Sequence, residues 1–312
     1  MGKRIINLTP QATTLQEKMQ EFLLFKQAQQ SSELTIKDYK QTFTHFVDHS
    51  HNTLDLDVLK MDTLNFFKSI PNTSPARYNV PFSNINAFFN WCVRQDYLDI
   101  NPITKLGLKK RKDEGKIRSK NIEDIKSFIG VIETNTYTGL RDYTLILLML
   151  DTGARPKELL SLTRKHIDIH SKMIEISKDI AKTRTSRILP LSPMTIKMLK
   201  KLLSVIPDDW FYVFSTYEGE YMDTRILDKR FDKYSKLSGI KITPYQLRHS
   251  FATLFLNNDG NLFALQVQMG HTDLRMTKRY ITISKEKLAE QHSKASPVNM
   301  LKSTKVEKMK LF

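Results

Sequence analysis

Residues 105–120, KLGLKKRKDEGKIRSK, set the tightest limit on how this chain folds. Eight of the sixteen are Lys or Arg, two are acids and two are glycines. A hydrophobic core does not run through such a segment, because a charge taken out of water without a partner is heavily penalised. The 312-residue chain is therefore read as two domains, 14–104 and 119–291. An exposed basic linker at 105–118 joins them, and a Lys- and Ser-rich tail follows at 292–312. The run of charge alone fits a solvated hinge or a segment facing a polyanion.

Lys and Arg number 49 and Asp and Glu 33, a net charge of +16. Through Arg118 there are 17 basic and 12 acidic residues, and beyond it 32 and 21, so both halves are basic. Such a surplus predicts a polyanionic partner, DNA or RNA, contacting both. The single cysteine, Cys92, excludes an intramolecular disulfide and any Cys-based zinc site. No apolar run approaches the roughly 18 residues of a membrane span. The opening MGKRIINLTPQ lacks the apolar stretch of a signal peptide. The expectation is a soluble, cytoplasmic, nucleoid-associated protein.

Apolar spacing reads mainly as helix. Ile36, Tyr39, Phe43, Phe46 and Val47 recur at steps of three and four. Ser74-Pro75 predicts a helix start, with Pro81 set to kink or delay it, and Asn101-Pro102 predicts a helix stop. The one clear β signal is MIEISKDIAKTRTSRILPLS, a hairpin turning at Thr183 to Ser186. Ser192-Pro193 starts a helix that buries Ile196, Leu199, Leu202 and Leu203. The remainder to residue 291 reads as helical, broken at Asn257-Asn258-Asp259-Gly260.

Glycine-rich nucleotide cradles (GxxxxGKS/T, GxGxxG), HExxH and paired cysteines are missing from the sequence. Cofactor and metal are accordingly expected to be none. Phosphodiester chemistry without them needs a nucleophile, cations for the non-bridging oxygens and an acid for the leaving alkoxide. Arginine suits the clamp, since its fork meets two phosphate oxygens and stays charged. A tyrosine nucleophile stores the broken bond as a phosphotyrosine, so strands rejoin without ATP.

Four boxes, in order, supply such a cast: Thr152-Gly153-Ala154-Arg155-Pro156-Lys157-Glu158-Leu159, Lys182 through Leu191, Leu247-Arg248-His249-Ser250-Phe251-Ala252-Thr253, and Met269-Gly270-His271 followed by Thr277-Lys278-Arg279-Tyr280. Together they resemble the tyrosine recombinase (phage integrase) family over residues 15–290. The resemblance implies Arg155 and Arg248 as phosphate clamps and Lys182 as general acid. It also implies His271 as a hydrogen-bond donor to the phosphate and Tyr280 as nucleophile. The family usually has histidine three residues before the second arginine. Tyr245 stands there, and both a phosphate donor and an inert replacement remain open. His249, beside Arg248, is expected to face the core.

Phe88, Phe89 and Trp91 fit either core or DNA contact. The resemblance implies a mainly α fold with a small antiparallel β-sheet, in two domains closing as a C-shaped clamp on DNA. One is a helical, SAM-like core-binding domain and the other the catalytic domain. Only 13 residues precede Thr14, so a compact Xer/Cre-like architecture without an arm-binding domain is expected. The implied activity is metal- and ATP-independent site-specific recombination of double-stranded DNA by a homotetramer on two sites, through a 3′-phosphotyrosine and a Holliday junction. Type IB topoisomerase-like relaxation and a catalytically impaired DNA-binding protein are the alternatives.

Overall fold

The computed structural model describes residues 14–112, 118–281 and 285–299, with backbone alone for 285–288. The chain divides into two compact units, Met1–Gly115 and Lys116–Phe312, at a point inside the basic stretch. Helices dominate the described residues, with one small antiparallel sheet.

The first unit comprises α1 (Leu15–Ala28), α2 (Glu33–Val47), α3 (Leu56–Ser69), α4 (Pro75–Arg94) and the short α5 (Pro102–Lys105). Thr14 and Glu17 close a reciprocal cap on α1, and Ser32, Asp55 and Ser74 cap the next three helices. The amphipathic faces meet in an aromatic core in which Phe22, Phe88 and Trp91 lie with ring centroids 5.6–6.2 Å apart. Phe88, Phe89 and Trp91 are all buried, so they are core residues here.

Three local expectations change. The α4 helix runs through Pro81 without a break. It stops at Arg94, well before Asn101-Pro102, as Asp96 turns left-handed at φ 57. Asn101-Pro102 instead starts α5: Asn101 Oδ1 accepts from the Ile103 N–H at 2.9 Å, and proline occupies the first turn, where no N–H is missed. Part of the basic stretch is also fastened down. The Arg111 N–H donates to Asn79 Oδ1 at 2.9 Å, Asn79 returns a bond to the Arg111 carbonyl, and the guanidinium lies 4.2 Å from the Tyr78 ring centre. Residues 113–117 lie outside the described residues.

The second unit is built on α7 (Tyr137–Thr152), whose Leu145, Leu148 and Met149 are fully buried. Around it stand α6 (Ile122–Gly130), α8 (Pro156–Leu160), α9 (Pro193–Leu203), α10 (Thr224–Ser238) and α11 (Pro244–Asn257). The chain continues through α12 (Leu262–Met269), α13 (Leu274–Lys278) and α14 (Lys285–Ala295). The sheet runs β1 (Ile167–Asp168), β2 (Met173–Ile176), β3 (Arg187–Pro190), antiparallel, with Ile174 opposite Leu189 and Ile176 opposite Arg187. Alternate residues Ile174, Ile176 and Leu189 point to the core, as a half-buried hairpin requires. The stretch 204–223, expected as helix, is irregular. Pro207 lacks an N–H, and Ser215 pairs with Tyr221 across a turn at Gly219.

A buried ion cluster ties α7 to α10. Asp142 accepts from Arg141 (2.9 and 2.7 Å), from Arg230 and from the Tyr234 hydroxyl at 2.7 Å. Asp142→Ala leaves Arg141 buried without its counter-charge. Removing one partner of such a pair costs about 3–5 kcal/mol, which urea unfolding of the variant will read as a lowered midpoint with an unchanged slope.

Candidate active site

The C-terminus of α7 sets the first arginine. Gly153 adopts φ 60, and a Cβ there would meet the Phe251 ring at 2.1 Å, so α11 packs closely only because this residue is glycine. The turn delivers Arg155 as the residue capping α8, with Pro156 in the first turn. Arg155 donates to Glu158 from its main chain (3.0 Å) and its guanidinium (3.1 Å), and Nη2 donates to the Gly270 carbonyl at 3.3 Å.

Glu158 is 1% exposed and is the local anion. Arg187 of β3 donates to it at 2.6 Å and also to the Gln268 carbonyl at 2.9 Å. Burial pushes the Glu158 carboxyl up, but hydrogen bonds and charge from Arg187 and Arg155 outweigh this and hold it below the ordinary glutamate range. The Lys182 main-chain N–H donates to the same carboxylate at 3.4 Å, while its side chain is exposed. One glutamate thus joins the first arginine box to the hairpin loop.

Arg248 lies on α11 and is 5% exposed. It donates to the Gly153 carbonyl at 2.5 Å, the Met269 carbonyl at 2.8 Å and His271 Nε2 at 3.0 Å. Burial, then the charge of Arg155, lowers its pKa to about 10. His271 follows Gly270, the left-handed cap of α12 at φ 62. Arginine only donates, so His271 Nε2 is the acceptor and the proton sits on Nδ1, donated to Thr277 Oγ1 at 2.8 Å. Burial and then the Arg248 and Arg155 charges bring the His271 pKa down to about 4, leaving the imidazole neutral.

Tyr280 follows α13 and is 6% exposed. Its N–H donates to the Thr277 carbonyl at 3.0 Å. Thr277, His271 and Arg248 therefore form a hydrogen-bonded chain from the tyrosine to the arginine. Burial raises the Tyr280 pKa against the opposing charges of Arg248 and Arg279.

The structure gathers Arg155, Arg248, His271 and Tyr280, and brings in Lys182 by its main chain. Tyr245, in the first turn of α11, is 59% exposed and outside this chain of bonds. Three participants had no role assigned from sequence: Glu158, Arg187 and Thr277, although the first was visible as an acid three residues after Arg155. His249 differs from expectation. It is half-buried, and its Nδ1 lies 2.7 Å from the Tyr280 hydroxyl.

The model of the phage integrase family matches residues 119–287, more than half of the chain. Tyrosine recombinase XerD of Listeria monocytogenes is 27% identical over 278 residues, 84% of this chain and 92% of the relative. Tyrosine recombinase XerC of Serratia marcescens is 27% identical over 303 residues, covering 93% and 98%. Among solved structures, the Tn1549 transposon integrase in complex with circular intermediate DNA superposes with a TM-score of 0.73 at 18% identity, covering 91% of this chain and all of that one. XerH recombinase bound to difH substrate gives 0.67 at 21% identity, over 88% and 83%. Those two likenesses speak for the fold. The chain belongs to the phage integrase family and is a tyrosine site-specific recombinase.

Proposed function

We propose that the protein cuts double-stranded DNA at its own recombination site through a 3′-phosphotyrosine on Tyr280 and rejoins it by way of a Holliday junction. The observation that carries this reading is a buried tyrosine, Tyr280, within reach of the charge of Arg248, an arginine held by two carbonyls and a neutral imidazole. A cation bonded only to neutral acceptors is set up for an incoming anion.

Tyr280 attacks the scissile phosphorus, and Lys182 protonates the departing 5′ oxygen. Arg155 and Arg248 take the non-bridging oxygens as charge builds. Arg248 turns one N–H from His271 to the phosphate, and the neutral imidazole changes tautomer: its proton moves to Nε2 to donate to the phosphate, and the Thr277 hydroxyl turns to donate to Nδ1. Tyr245 adds a phosphate hydrogen bond from the exposed turn of α11. The phosphotyrosine conserves the bond energy, so the rejoining attack by a partner strand's 5′ hydroxyl needs neither ATP nor metal. The working unit is a homotetramer on two DNA sites at the nucleoid in the cytoplasm, with the segment from α14 onward docking on a neighbour. The basic balance of both halves supports the DNA partner.

A nicked suicide duplex drawn from the DNA flanking the gene tests this reading. A covalent protein–DNA adduct at the 3′ end should form in EDTA. Activity lost on chelation and restored by magnesium contradicts the assignment. Relaxation of any supercoiled plasmid, without exchange between sites, marks a topoisomerase instead.

A further inference from the structure

The phenol proton of Tyr280 must leave as its oxygen bonds to phosphorus, and the groups described above do not all offer a place for it. His271 is occupied on both nitrogens, by Thr277 on one side and on the other by Arg248, or by the phosphate that takes the place of Arg248 once DNA is bound. Tyr245 is exposed and carries a phenol, a poor base at neutral pH. His249 Nδ1 stands 2.7 Å from the Tyr280 oxygen, with the two rings 5.6 Å apart. A phenol is the stronger donor and an imidazole nitrogen the stronger acceptor, so Tyr280 donates and His249 carries its own proton on Nε2.

We infer that His249 is the general base of the cleavage step, a catalytic residue that takes the Tyr280 proton directly; the inference rests on the recombinase reading above. The step balances. The Tyr280 O–H bond breaks as the O–P bond forms, His249 becomes an imidazolium, and the P–O5′ bond breaks with a proton from Lys182. On rejoining, the attacking 5′ hydroxyl returns its proton to Lys182, and the released phenolate recovers its own from His249.

The charged and titratable groups facing His249 are Arg248 on its own helix, and Arg279 and Tyr280 from the far side. Burial first, then the Arg279 and Arg248 charges, hold its pKa below the ordinary histidine value. The imidazole is thus unprotonated and ready at neutral pH, and its conjugate acid gives the proton back readily. A DNA phosphate between the arginines offsets their repulsion while the imidazolium exists.

The test uses single-turnover adduct formation by the full chain on a nicked duplex. His249→Asn keeps an acceptor near the phenol but cannot take up a proton. Its rate should fall about 10²–10⁴-fold, the usual worth of general acid–base catalysis. The wild-type rate should rise with pH and level off above an inflection below the ordinary histidine range, and the variant should lose that inflection. A 5′-bridging phosphorothiolate, whose leaving group needs no acid, should rescue Lys182→Ala but not His249→Asn. Wild-type rates in His249→Asn, or a slower reaction with the inflection retained, overturn the base assignment. Should the variant fail to bind DNA, ¹⁵N NMR of the wild-type histidines decides: a proton on His249 Nδ1 rather than Nε2 overturns it. Absence of any adduct with wild-type protein fails the recombinase reading instead.

Discussion

Tyr280→Phe abolishes covalent strand cleavage while site binding stays close to that of the wild type. The ring belongs to a small buried group with Phe251, Ala252, Leu265 and Met269, and phenylalanine fills the same volume. Only the hydroxyl and its bond to His249 are lost, and the net worth of one such bond is about 0.5–1.5 kcal/mol. Folding and DNA affinity should therefore survive, whereas the attacking oxygen itself is removed. Gel shift on the intact site and adduct formation on the nicked site measure the two separately. Residual adduct in the variant would mean that another side chain attacks.

Arg248→Ala should lower the adduct-forming rate by about 10³–10⁵, the range an arginine is worth at a transferring phosphoryl group. Arg248→Lys should recover little of it. A single ammonium cannot hold the Gly153 and Met269 carbonyls and still serve a phosphate with a planar fork. Thermal melts of the variants separate the loss of these structural bonds from the loss of rate. A folded Arg248→Ala protein that cleaves at the wild-type rate would remove Arg248 from the site.

Much of this was legible in the sequence because the site residues sit at ends of elements that have local signals. Gly153 and Gly270 mark helix ends, and Arg155 and His271 follow them within two residues. The hairpin was visible in its β-branched strands, and Lys182 lies in its connecting loop. What escaped notice depends on pairing across distance. His249 is adjacent in sequence to Arg248, and that position alone suggests the core, but one residue along a helix turns the side chain by about 100°. The fold of α12 and α13 then brings Tyr280 to that flank. Arg187 read as one strand residue among others until its partner Glu158, on a different element, was in view. Local rules failed where tertiary contacts competed with them. Pro81 sits inside α4, Asn101-Pro102 starts a helix rather than stopping one, and Arg111 of the basic stretch returns to pack on α4 through Asn79 and Tyr78.

The central claim is that the Tyr280 oxygen becomes bonded to DNA. Mass spectrometry of the trypsin-digested suicide adduct tests this directly, since cleavage after Arg279 and Lys285 isolates Tyr280 on a short peptide. The account predicts that peptide 280–285 carries the nucleotide remnant as a 3′-phosphodiester on its tyrosine. A remnant on any other peptide, or attached through a 5′-phosphate, would contradict it.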